Sequence, residues 1–194
     1  MSTEDGSPVE VYRRLPAMGE PELAHALFPG GRVLDLGAGT EMLAAVRSAR
    51  THRARIEDLD LAERFDVVLL ASNLVNTPDA AQRSALLATA RRHLADDGRV
   101  LLQWHEPAWF DRLSPGARLD GAIGPLSSTL EVHDLAGDVL SATVTYRDGA
   151  QVWAQAFRAA RLALDDLDAE LGAAGLRRLP PAPAESWAVA QRQR

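Results

Sequence analysis

The apolar positions of this chain fall into two rhythms. Between residues 32 and 104, short unbroken apolar runs alternate with stretches of helical spacing, the pattern of strands buried on both faces and joined by covering helices. Residues 32–36 (Arg-Val-Leu-Asp-Leu) form one such run, ended by Gly37, and residues 65–70 (Phe-Asp-Val-Val-Leu-Leu) form a stronger one. A third run, 99–104, follows the turn-forming stretch Ala95-Asp96-Asp97-Gly98, itself preceded by leucines and alanines at helical spacing over 80–94. A helix is predicted over 41–50 and a weaker strand at Ala54-Arg55-Ile56. From 127 to 159 the rhythm changes to alternating, β-branched stretches (128–132, 140–146, 151–157), with Arg147-Asp148-Gly149 as a hairpin turn. A helix over 165–174 closed by Gly175 and a strand at 186–191 complete the series.

Strands that alternate with helices specify an α/β fold, with a mostly parallel sheet and helices on both faces. The alternating segment reads as an antiparallel insert or lid spanning residues 111–160. Residues 1–31 are punctuated by Pro16, Pro21, Pro29, Gly30 and Gly31, with a short helix over Glu20–Leu27, and read as a lead-in. At 194 residues the whole chain fits a single domain with one sizeable core.

Composition narrows the function classes. A net charge of −6 disfavours nucleic acid as a partner, because phosphate binding relies on clustered positive charge, so a small molecule is expected. No apolar run reaches membrane-spanning length and the acidic start has no targeting pattern, which together predict a cytoplasmic protein. Cysteine is absent, which removes disulfides, thiolate metal sites and cysteine nucleophiles. Lysine is absent too, so Schiff-base chemistry has no residue to use. The arginine- and alanine-rich usage suggests a bacterial genome rich in G and C. His25, His52, His93 and His133 are scattered without ligand spacing, and no metal is expected.

The most informative segment is Val33-Leu34-Asp35-Leu36-Gly37-Ala38-Gly39-Thr40, a strand running into a glycine turn and then a helix. Glycine there lets the backbone turn sharply and approach a ligand. It is not the dinucleotide fingerprint, which needs a third glycine where Met42 stands. The acid followed by Gly-x-Gly at the end of the first strand resembles the first motif of class I S-adenosylmethionine-dependent methyltransferases. The resemblance continues in order: Ile56-Glu57-Asp58-Leu59 is similar to the acidic element after the third strand, Phe65-Asp66-Val67-Val68 to the fourth strand, and Asp97-Gly98-Arg99-Val100-Leu101-Leu102 to the turn into the fifth. Ala174-Gly175-Leu176 and Ser186-Trp187-Ala188-Val189-Ala190 match the ending, so nearly the whole chain is covered.

The resemblance implies a Rossmann-like fold with S-adenosylmethionine as cofactor. Asp35, Gly37, Ala38, Gly39 and Thr40 would hold its methionine end, Asp58 and Leu59 would meet the adenine, and Ala71 and Ser72 would line the methionine pocket. One departure stands out. Glu41 occupies the place of the third motif glycine, and roughly twenty residues, a helix and a strand by typical lengths, are missing before Ile56. The cofactor half is therefore shortened, and Glu57 stands near where a ribose-binding acid would project. Asp58 also suits a plain turn, and Ser72 a plain helix cap.

For the substrate, the candidates are Tyr12, Asn73, Asn76, Trp104 and Trp109. His105, just past the fifth strand of the resemblance, is the candidate general base, with a structural role as its rival. Trp153 and Trp187 read as core packing. Three classes of function remain open: a small-molecule methyltransferase, a non-catalytic relative serving as a binding or partner subunit, and a nicotinamide-dependent oxidoreductase supported only by Glu57. The pattern sets no oligomeric state.

Overall fold

The computed structural model describes residues 8–17, 19–37, 52 and 54–194. The helix expected over 41–50, and the motif residues Ala38, Gly39 and Thr40, lie outside the described residues. A short helix α1 (Val9–Tyr12) and helix α2 (Glu20–Leu27) lead into strand β1 (Val33–Leu36). Strand β2 (Phe65–Leu70), a short 3₁₀ turn (Leu74–Asn76), helix α3 (Ala80–His93) and strand β3 (Leu94–Gln103) follow. Asp79 caps α3, accepting hydrogen bonds from the Ala81 and Gln82 amides.

After helix α4 (Pro107–Phe110), the chain builds four antiparallel strands, β4 (Arg118–Ile123), β5 (Leu126–Ala136), β6 (Val139–Asp148) and β7 (Gln151–Ala160). Helix α5 (Leu164–Ala173) and strands β8 (Leu176–Leu179) and β9 (Trp187–Arg192) end it. The first sheet has the order β1-β2-β3-β9-β8, with β1, β2 and β3 parallel and β9 antiparallel to β3; the second has the order β4-β5-β6-β7. This is the mostly parallel α/β sheet with an antiparallel insert that the apolar rhythm specifies.

β2 shows why its run is unbroken. Val68 and Leu70 point to one face, against Leu86, Leu87 and Ala90 of α3 and Leu167 and Leu171 of α5. Val67 and Leu69 point to the other, against Ala24 of α2, Leu101, Trp187 and Val189. These four side chains are fully buried, each worth about 1.5–3 kcal/mol of burial, so a polar substitution at any of them would open the sheet.

Two expectations change. Ala54-Arg55-Ile56 is not a strand but the start of a turn, in which the Asp58 amide donates to the Arg55 carbonyl and the Leu59 amide to that of Ile56. Ile56 instead packs its side chain sideways onto the core beside Gly37. The turn expected at Ala95 to Gly98 is absorbed into β3 as an irregularity, where Leu94 pairs with Phe65 and Arg99 with Val67. Among the described residues, no strand lies outside β1.

Candidate functional site

The parallel strands end together, at Leu36, Leu70 and Gln103, and ligands of open α/β sheets sit beyond such carboxyl ends. Here those ends form the floor of a cleft of about 1480 Å³. The antiparallel sheet supplies one wall through Leu119, Leu130, Val144 and Phe157, and the lead-in supplies another through Tyr12, Leu15, Pro16 and Glu20. Pockets for drug-sized ligands commonly measure roughly 300–1,000 Å³, and this cleft exceeds that range.

The lead-in is fixed to the second sheet by apolar and polar contacts. Val11 packs with Leu126 and Tyr146, and the Tyr12 hydroxyl donates to Gln155 Oε1 at 3.4 Å. Arg14 lies over the Trp153 ring at 5.0 Å. Gly124 touches Pro16 so closely that a Cβ would meet Pro16 Cδ at 2.3 Å, which is why the turn between β4 and β5 carries no side chain there.

On the floor, Asp35 faces the cleft from the end of β1. Its Oδ1 is buried without a hydrogen-bond partner among the described residues. Burial, reinforced by the Glu20 carboxylate, pushes its pKa up to about 7. A carboxyl group held this way is poised to receive a cation or donor, which would restore its ordinary ionised state. Gly37 follows in the left-handed region at φ 94°, and a Cβ there would meet the Leu74 side chain at 3.3 Å.

At the end of β2, Ser72 and Asn73 adopt consecutive left-handed conformations, φ 58° and 54°. Such backbone costs about 1–3 kcal/mol per residue and concentrates at binding sites. It turns Asn73 toward the cleft, where its Oδ1 is buried and unbonded among the described residues. The Ser72 amide donates to Gln103 Oε1 at 2.9 Å, tying the ends of β2 and β3. The N-cap of the 3₁₀ turn is Asn73, not Ser72, and it makes no side-chain cap bond.

Past β3, the His105 ring stacks on Trp109, centroids 3.9 Å apart and planes 11° from parallel. Phe110 meets the edge of both rings. Burial alone lowers the His105 pKa to about 4, so the imidazole is neutral at physiological pH, and it lines the cleft.

The remaining sequence candidates separate cleanly. Glu57 lines the cleft, accepting a bond from Gln82 Nε2 at 3.3 Å, as do Ala71, Tyr12 and Trp109. Asp58 is exposed on the turn near Arg55, and Leu59 packs into the core; neither lines the cleft. Trp104 is buried in the core and lines a separate small niche. Trp187 is core, and Trp153 packs against the lead-in cluster. Asn76 touches the cleft, yet its side-chain amide is fully engaged with backbone. Glu20, Gln82 and Gln103 are cleft residues that pattern reasoning did not single out; only their places at element ends could have flagged them.

The whole architecture matches solved structures of S-adenosylmethionine-dependent methyltransferases. The CcbJ methyltransferase from Streptomyces caelestis superposes with a TM-score of 0.71 at 20% identity, covering 100% of this chain and 99% of that one. An amino pentose methyltransferase from Micromonospora echinaspora, involved in calicheamicin biosynthesis, gives 0.64 at 20% identity over 89% and 88% of the two chains. An S-adenosylmethionine-dependent methyltransferase from Clostridium acetobutylicum gives 0.65 at 13% identity, over 80% and 71%. No protein-family model and no curated protein matches the sequence. The chain therefore has the class I methyltransferase fold, as the motif order implies.

Proposed function

We propose that the chain binds S-adenosylmethionine on the floor of the cleft and transfers its methyl group to a small-molecule acceptor held against the antiparallel sheet. The observation that carries this reading is the buried Asp35 Oδ1 beside Gly37, which has no hydrogen-bond partner among the described residues, at the sheet edge where this fold places its ligands. The residues present suit the methionine end of the cofactor: Asp35 toward the ammonium, with Gly37 clearing space and Ala71 and Ser72 beside it. Glu57, backed by Gln82, is the acid for the nucleoside end, in place of the exposed Asp58.

When bound, the cofactor supplies an electrophilic methyl group on a sulfonium. What the chain contributes is positioning, which is worth up to about 7–11 kcal/mol of a barrier when the geometry is good. Neutral His105 accepts the proton of the acceptor nucleophile, while Trp109 fixes its ring plane. Tyr12 and the apolar face of the second sheet hold the acceptor body. A neighbour that acts on an amino pentose supports a small-molecule acceptor.

One observation favours a second reading. The sheet stops at β1 among the described residues, which removes the strand that would carry a ribose-binding acid and suits a non-catalytic binding subunit. Incubation with methyl-labelled S-adenosylmethionine and a panel of small amines and hydroxyl compounds separates the two. Label transferred by the wild type and lost in His105→Gln supports catalysis. No cofactor retained by the folded protein in equilibrium dialysis at millimolar concentration would overturn it.

A further inference from the structure

We infer that Asn76 is a positioning residue for His105, which it holds by a two-way clasp of the backbone; this rests on the reading of His105 as the proton acceptor. Asn76 is 1% exposed, in the 3₁₀ turn that follows the strained Ser72–Asn73 corner. Its Oδ1 accepts from the His105 amide at 2.8 Å, and its Nδ2 donates to the His105 carbonyl at 3.2 Å and to the Ala160 carbonyl at 2.9 Å. The amide orientation is not arbitrary. The His105 N–H requires an oxygen opposite it and the two carbonyls require donors, a set that only a primary amide satisfies at this length.

The consequence is mechanical. Ala160 ends β7, His105 follows β3, and Asn76 follows β2, so a single side chain ties both sheets together where the cleft meets the loop carrying His105. The stack of His105 on Trp109 then starts from a fixed backbone, and the ring stays shielded from water. Among the described residues, no charged group contributes to the low basicity of the ring. Its ring neighbours Trp109 and Phe110 are uncharged, and the adjacent Glu106 carboxylate is occupied by the Ser186 amide.

Asn76→Ala should release this loop to solvent, so the His105 pKa should climb toward its ordinary range. The test is the pH titration of protein labelled at histidine Cε1, followed by NMR, with His105→Gln assigning the resonance. The wild-type midpoint is expected near 4. In Asn76→Ala it should rise by about one pH unit or more, as burial is relieved. Val75→Ala, which removes a fully buried apolar group from the same turn, should leave it in place. An unchanged midpoint in folded Asn76→Ala, or an equal rise in Val75→Ala, overturns the proposal.

Should Asn76→Ala fail to fold, the wild-type His105 amide decides. Its exchange with solvent deuterium should be slowed by roughly 100-fold or more relative to an open loop amide. Exchange at the open rate overturns the proposal. Neither measurement uses a cofactor, so a failure to bind S-adenosylmethionine would sink the functional reading and leave the clasp standing.

Discussion

Asp35→Asn should make the protein more stable while costing it its ligand. In the folded chain, the Asp35 pKa is raised from 3.8 to about 7 by burial and by Glu20. In the unfolded chain the group titrates normally. Below about pH 4 both states hold the proton and the residue contributes nothing to the balance. As pH rises, the unfolded chain releases the proton first, and folding is progressively penalised until the folded carboxyl also ionises near pH 7. The full penalty is 7 minus 3.8 pKa units at about 1.36 kcal/mol each, or about 4 kcal/mol as an upper value.

Asparagine keeps the shape and removes the titration. Urea unfolding of wild type and Asp35→Asn should therefore show a stability gap in favour of the variant that widens by roughly 2–3 kcal/mol between about pH 5 and pH 8. A gap that stays constant with pH, or a variant no more stable than wild type near pH 8, would refute the assignment of Asp35 as a strained, ligand-awaiting carboxyl group. Destabilised binding residues that are relieved by mutation are a recurring form of the stability–function trade-off.

Three further perturbations test the frame around that group. Gly37→Ala places a side chain on backbone at φ 94° and against Leu74, and should cost about 1–2 kcal/mol in urea unfolding while weakening S-adenosylhomocysteine binding tenfold or more. Gly124→Ala drives a methyl group into Pro16, and limited proteolysis should then cut the lead-in around residues 8–17 much faster than in wild type. Arg83 is 7% exposed, with Nε and Nη2 at 2.9 and 2.8 Å from Glu170 Oε1 and Nη1 on the Thr77 carbonyl. Arg83→Met should strand the Glu170 carboxylate between α3 and α5 and cost about 2–4 kcal/mol, read by the same unfolding assay.

Much of this was legible in the sequence, for physical reasons that differ from element to element. β2 was plain because both faces of a parallel strand are buried, which forces an unbroken apolar run. The β6–β7 hairpin was plain because Gly149 sits in its turn at φ 55°. The alternation of Ala54-Arg55-Ile56 imitated a strand, but its apolar contact comes from Ile56 alone, which seals the core from a turn. β4 escaped notice because it lies at a sheet edge with nearly every residue exposed, so its pairing with β5, not its composition, makes it a strand. β8, Leu-Arg-Arg-Leu, also lies at a sheet edge, where two central arginines break any apolar run.

At the site, Asp35, Gly37 and His105 could be placed because strand ends mark the ligand edge. The role of Asn76 could not, since its partners lie 29 and 84 residues away and are backbone atoms without a residue signature. Glu57 and Asp58 were adjacent and equivalent in sequence; only the direction of the turn decided that Glu57 meets the cleft and Asp58 meets water.

The central claim is that the cleft floor is built for the ammonium-bearing end of S-adenosylmethionine, with Asp35 as its counter-charge. Isothermal calorimetry with S-adenosylhomocysteine, run near pH 6 and pH 8 in buffers of different ionisation enthalpy, tests it most directly. Saturable binding that tightens by about tenfold over that range, with a proton released near the lower pH as Asp35 ionises, is the predicted result. No binding heat from a folded sample, or an affinity indifferent to pH, would contradict it.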